Sequence, residues 1–154
     1  MKTMQLGCGV RPIEGAVNHD RIKHADHVDI AHDLDVFPWP WSDGEFDKVI
    51  ALDVMEHLRC DVHVWLNECW RILKPDGLLV LRLPAWNHEC SHRDPTHVRL
   101  FHPETFIYWD RRTDWHRDYG SYYFGEFNRW WLIENVEPRD AGANIFYVLR
   151  KDGN

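Results

Sequence analysis

The chain has 154 residues, enough to bury a core in one domain and too few for a cofactor domain plus a separate substrate domain, so a single site must serve for everything. A formal net charge of −7 offers no global positive field for a phosphate backbone or an anionic membrane, which argues against duplex nucleic acid as a partner. Aromatic residues make up 14% of the chain and nine residues are Trp, a content that points to an aromatic-lined pocket or interface as well as a core.

In chain order, Met4 to Leu6 reads as a first strand that enters "LGCG", a Gly-x-Gly turn of the kind that lets a ligand touch the main chain. Only "VRPIEG" separates it from the second strand, Ala16 to Asp20. That is too short for an ordinary crossover helix, so the first helix is expected to shrink to a turn opened by Pro12 and closed by Gly15. His27 to Ile30 reads as a short third strand, and "FPWPW" as an extended segment whose Trp39 and Trp41 either stack on a ligand or cover the sheet edge. Lys48 to Val54 is a continuous apolar strand of mid-sheet type.

Apolar residues at Val62, Trp65, Leu66, Cys69, Trp70 and Leu73 then follow helical spacing, which ends at Pro75 and Gly77. Leu78 to Leu83 is a further strand. "RWWLIENVEP" and "NIFYVLRK", joined by the turn Asp140 to Ala143, predict an antiparallel hairpin. Strands alternating with linking segments predict an α/β fold around a mainly parallel twisted sheet. Aromatic residues between Trp109 and Trp131 divide between hairpin packing and a lid over an acceptor. Arg111, Arg112, Arg117 and Arg129 read as a solvated surface in preference to an anion-binding patch.

Cys8, Cys60, Cys69 and Cys90 form no CxxC pair and no disulfide framework, and no stretch has the length of a membrane span. The expectation is a reduced, cytoplasmic protein without a membrane anchor. Asp20 follows the second strand, where a carboxylate accepts two hydrogen bonds from ribose hydroxyls in nucleotide-binding α/β folds.

"LGCG", "VNHD", "HDL", "FPWPWSDGEFDKVIALDVMEHL", "ECWRILKPDGLLVLRLP" and "DPTHVRLF", in this order over residues 4–106, resemble the class I S-adenosylmethionine-dependent methyltransferases, in particular small proteins with a type 11 methyltransferase domain. The resemblance implies a Rossmann-like three-layer sandwich comprising the single domain 1–154. It implies S-adenosylmethionine as cofactor and methyl transfer by in-line displacement at the strand tips. Leu6, Gly7, Cys8 and Gly9 match the glycine motif beside the methionine part of the cofactor. Asp20 matches the ribose acid, Asp33 and Leu34 the adenine segment, and Asp53 and Val54 the strand tip beside the reacting methyl. Glu56 and His57 match the turn that walls the site. Gln5 stands where such families often carry an acid, and Arg11 where they often carry a small residue.

The loop "WNHECSHRDPTHVRLF" follows the last core strand, where an α/β fold places its ligand crevice. Three readings stay open: Asp94 or His97, with His57 nearby, as general base or acceptor-orienting group; His88, Cys90, His92, Asp94 and His97 as ligands of a divalent metal; or an Asp-capped turn with surface histidines. The spacing matches no established zinc motif, so no metal ligand is assigned. The acceptor is expected to be a small molecule or a single exposed base held among rings. A non-catalytic binding protein that shares the fold is the rival reading.

Overall fold

A computed structural model describes residues 1–124 and 129–153. Seven strands form one sheet: β1 (Thr3–Leu6), β2 (Val17–Asp20), β3 (Ile30–Ala31), β4 (Phe46–Leu52), β5 (Leu73–Pro84), β6 (Trp131–Arg139) and β7 (Asn144–Lys151). Their order is β3-β2-β1-β4-β5-β7-β6. The first five pair in parallel, whereas β7 runs antiparallel between β5 and β6. This is the mainly parallel Rossmann-like sheet with the antiparallel end that the sequence predicts. The crevice follows from it: β1 is flanked by β2 and β4, so the chain reverses its winding direction there and the strand tips diverge.

Alternation sorts the sheet into two faces. Met4, Leu6, Val49, Ala51, Leu79, Leu81, Tyr147 and Leu149 all turn into one buried core. Each such side chain contributes about 1.5–3 kcal/mol by leaving water. Ile50, Val80, Phe146 and Val148, at the alternate positions, lie outside that core and are half-buried. The helix α1 (Val62–Ile72) packs its Trp65, Leu66, Cys69 and Ile72 into the core. Its start is capped by Asp61, whose carboxylate accepts the His63 N–H at 2.8 Å. Two shorter pieces, α2 (Cys90–Arg93) and α3 (Ser121–Phe124), complete the α-helices among the described residues. Among the described residues, no helix is long and apolar enough to cross a membrane.

Several boundaries differ from the sequence reading. The first connection, by contrast, is the turn that the sequence predicts: residues 10–16 contain no helix, and the Ala16 N–H donates to the Ile13 carbonyl at 3.2 Å. The third strand starts at Ile30, not His27, because a turn between Ala25 and Val28 uses those residues first. β4 stops at Leu52, where Asp53 takes a left-handed φ of 56°. α1 ends at Ile72, short of the Pro75 break, because Leu73 already pairs with Phe46 in the sheet. The turn after β6 carries positive φ at Asp140, Ala141 and Gly142.

The "FPWPW" segment belongs to the core. Trp39 and Trp41 are buried and meet edge to face at 5.7 Å. A charged clamp ties the segment to α1: the Trp39 N–H donates to Glu68 at 2.8 Å, and Arg71 donates to the carbonyls of Trp41 and Trp39 at 2.6 and 3.1 Å. Arg71 also forms a two-pronged pair with Glu68, both contacts at 2.8 Å. Burial alone would raise the Glu68 pKa, but hydrogen bonds from Arg71 and the Trp39 N–H outweigh it and hold the carboxyl below its usual range. The pair therefore stabilises the fold above the ordinary Glu pKa and loses that contribution as pH falls through the depressed folded value.

Replacing Arg71 by Ala should remove about 3 kcal/mol at neutral pH, because a buried carboxylate is left unpaired. In that variant only the Trp39 N–H and the charge of Arg129 still oppose burial, so the loss of stability on acidification should be smaller than in the parent. Urea titrations of parent and variant at neutral and mildly acidic pH check both statements.

Candidate functional site

The glycine turn after β1 is held by its own backbone and by three polar side chains. Gly7 and Gly9 have φ of 63° and 52°, which L residues with a Cβ adopt only at a cost. The Cys8 N–H donates to the His19 carbonyl at 2.8 Å, and the Gly9 N–H donates to Asp20 Oδ2 at 2.7 Å. Gln5, buried on β1, grips the following loop with both ends of its amide: Nε2 donates to the Arg11 carbonyl at 3.1 Å and Oε1 accepts the Ile13 N–H at 2.7 Å. Asn18 grips the same residue, accepting the Ile13 N–H at 3.0 Å and donating to its carbonyl at 3.1 Å. A carboxylate at position 5 has no proton to donate to Arg11, which gives the amide a structural reason.

Around this turn lies a cavity of about 300 Å³ lined by Gly7, Gly9, His19, Asp20, Asp33, Leu34, Asp53, Val54 and His57. Of the residues expected here from sequence, Leu6 and Cys8 do not line it; both side chains are buried beneath the turn. Burial and the neighbouring Asp20 carboxylate push the Cys8 thiol pKa up. Asp20 itself is held below the usual carboxylate range: burial opposes this, but the Gly9 and Arg21 N–H groups win. Those contacts use part of its acceptor capacity and leave further lone pairs for a ligand. Trp39 and Trp41 are absent from the lining, which removes them as stacking partners.

A second cavity of about 580 Å³ adjoins the first and shares Asp53 and His57 with it; Glu56, Cys90, Arg93, Asp94, Pro95 and His97 are among its other walls. The strand tips fix its boundary. Asp53, at the end of β4, is paired with Arg82 on β5 through two contacts. His57 lies in a single helical turn, Met55–His57, directly after the strand. Its Nδ1 is 2.8 Å from Thr96 Oγ1, and the Thr96 hydroxyl is 2.6 Å from Asp94 Oδ1. Because the hydroxyl donates to the carboxylate, it accepts from His57 Nδ1, which leaves His57 Nε2 as a lone pair. The His97 ring stands edge-on at 4.7 Å from His57, with Nδ1 3.3 Å from the Ser91 carbonyl. Burial and the neighbouring His97 lower the His57 pKa.

Thus Asp94, His97 and His57, separated by up to 40 positions in sequence, meet in one place. The metal reading of the whole His88–His97 loop is not reproduced as a cluster: His88 turns to Cys90, with Nδ1 2.7 Å from Sγ, and His92 is exposed. Sequence reasoning assigned Glu56 only a wall. The structure buries it to 1% exposure, and burial, reinforced by the negative charge of Asp53, pushes its pKa up to about 8. Among the described residues, the aromatic segment expected to form a lid lines neither cavity. Trp109 and Trp131 are buried, Trp115, Tyr119 and Tyr122 are exposed, and the side chain of Phe124 lies outside the described residues. Arg117 pairs with Asp114 at the surface, whereas Arg111 and Arg112 pair with the buried carboxylates of Asp152 and Asp110, and Arg129 lies over Trp70.

The two turn glycines should respond differently to substitution. A Cβ on Gly7 would lie 2.5 Å from a Val54 methyl, whereas one on Gly9 meets nothing within 4 Å. Gly9→Ala should cost about 1–2 kcal/mol through its left-handed φ alone. Gly7→Ala should cost about 1–3 kcal/mol more, as Val54 is forced aside. Chemical denaturation of the two variants checks the difference.

The methyltransferase domain family matches residues 6–81, the stretch from the glycine turn to the middle of β5. Among curated proteins, none matches the sequence. Solved structures similar in fold include one chain of the complex between the Haloferax volcanii Trm112 methyltransferase activator and its methyltransferase partner, with a TM-score of 0.66 at 15% identity, covering 98% of this chain and 82% of that one. An S-adenosylmethionine-dependent methyltransferase from Archaeoglobus fulgidus superposes with a TM-score of 0.63 at 16% identity, covering 98% and 86%. Another from Mesorhizobium loti gives 0.59 at 12% identity, covering 97% and 90%. With its glycine turn, its strand order and this domain match over residues 6–81, the chain resembles the class I S-adenosylmethionine-dependent methyltransferases and shares their fold.

Proposed function

We propose that this chain, folded as a single domain, transfers a methyl group from S-adenosylmethionine to a small polar acceptor. The observation that carries the reading is the pair of joined cavities. One is floored by a glycine turn with acids at two neighbouring strand ends. The other is walled by histidines and carboxyls, and the two meet at Asp53 and His57. The site's chemistry fits the cofactor. The missing Cβ at Gly9, where nothing lies within 4 Å, leaves backbone open to a ligand, Asp20 has acceptor capacity for ribose hydroxyls, and Asp33 with Leu34 offers a polar and an apolar contact for a base.

When bound, the cofactor supplies a methyl group already activated on a sulfonium. The protein's part is then alignment and proton removal. Gly7 and Gly9 provide the backbone cradle, with Leu6 and Cys8 buried beneath it, and Asp53, held by Arg82, borders the junction between the cavities. His57, oriented through Thr96 by Asp94, presents its Nε2 lone pair toward the acceptor side, and His97 stands beside it. These three are the candidates for receiving or directing an acceptor proton. Among the described residues, the second cavity has no aromatic wall other than imidazole. Stacking of a flipped base therefore finds no support, and a small polar molecule fits better.

Calorimetric titration with S-adenosylhomocysteine tests the reading. Saturable binding is expected, weakened by about 1–3 kcal/mol in Asp20→Ala through loss of charge-assisted hydrogen bonds. A folded protein that binds neither this ligand nor S-adenosylmethionine would refute it. His97→Ala should leave that affinity within about twofold while lowering kcat strongly in a methylation screen, the pattern of a group that acts on the acceptor side.

A further inference from the structure

The Glu56 carboxyl poses a problem that methyl transfer does not answer. Its Oε2 is buried and has no hydrogen-bond partner, a condition that is unfavourable for a polar atom. One ligand atom from each of Glu56, His57 and His97 lies within 4.8 Å of the other two. Both rings are oriented from behind, His57 Nδ1 by Thr96 and Asp94, His97 Nδ1 by the Ser91 carbonyl. A carboxylate or carbonyl behind Nδ1 is the support that metal-bound histidines commonly have, because it fixes the tautomer and aims the Nε2 lone pair forward. Asp94 Oδ2, 3.9 Å from His97 Nε2, adds negative charge beside the cluster.

We propose that Glu56, His57 and His97 bind a divalent transition-metal ion in the second cavity. Two imidazole nitrogens and one carboxylate oxygen suit zinc, manganese, iron or cobalt better than calcium or magnesium. Three protein ligands leave coordination positions open toward the cavity, where a water or an acceptor oxygen fits. The other histidine–cysteine group among the described residues, Cys8 with His24 and His27, is already engaged: His27 Nε2 lies 2.8 Å from the Gly9 carbonyl, and His24 faces Asp20 at 3.5 Å. Binding of the ion does not depend on the methyl-transfer reading. Where both hold, the histidines act on the acceptor through the ion.

Metal-stripped full-length protein titrated with Co(II), followed by visible absorption, and with Zn(II), followed by calorimetry, is the test. One ion per chain is expected, with Glu56→Gln and His97→Ala each weakening it roughly tenfold or more and His92→Ala binding like the parent. Circular dichroism of each variant establishes that it is folded. The inference falls if the folded parent shows no saturable binding, if both variants bind as the parent does, or if Cys8→Ser is the change that removes the ion. S-adenosylhomocysteine titration of the same samples separates the two proposals: cofactor binding without metal overturns this inference alone, and metal binding without cofactor overturns the methyl-transfer reading alone.

Discussion

The contact between Gly7 and Val54 governs the rest of the site. β1 and β4 are parallel neighbours in register, Leu6 opposite Ala51, so the chain leaves both strands at the same level and must turn away twice in the same small volume. One turn succeeds by lacking a side chain, the other by placing Asp53 in a left-handed conformation secured by Arg82. Val54 then fills the space next to Gly7, and the chain passes directly into the short turn that carries Glu56 and His57. A bulkier residue at position 7 would move the tip of β4 and, with it, both cavity walls.

The front of the molecule shows how a Rossmann-like fold manages with a first connection of a few residues. Ordinarily a crossover helix satisfies its own backbone. Here residues 10–16 have no such ladder, and the amides of Gln5 and Asn18 take over, each offering a donor and an acceptor to the same short stretch. The carboxylate of Asp20, as an acceptor alone, holds the glycine turn through the Gly9 N–H. Side chains that in a larger protein would be free to meet a ligand are thus also structural parts.

Local chemistry was legible in the sequence; long-range juxtaposition was not. The glycine turn, the acid at Asp20, the run from Lys48 and the C-terminal hairpin each carry their signal within a few residues, and each is present in the fold. His27 misled because its apolar neighbours look like a strand, whereas a turn at Ala25–Val28 is decided by backbone hydrogen bonding that no pattern announces. Trp39 and Trp41 were ambiguous because a proline-spaced extended segment looks the same whether its rings face a ligand or a helix, and only Glu68 and Arg71, about 30 positions away, decide it. Glu56 and His97 meet only because β5 and its following loop return the chain to the tip of β4. A carboxyl whose burial depends on a segment 40 residues downstream leaves no mark in the sequence around it.

The tethered glycine loop has a consequence for selectivity. A segment fastened through two amides and a carboxylate loses its conformational freedom when the protein folds, so little remains to be lost when a ligand arrives. That favours whatever fits the cradle as it stands. It also removes the means of adapting: a ligand enlarged on the side facing Gly9 finds backbone that cannot yield without breaking the Gly9 N–H from Asp20. The economy that shortened the chain here has therefore made this side of the pocket its least permissive part, and tolerance for altered ligands lies on the opposite side, among the histidines.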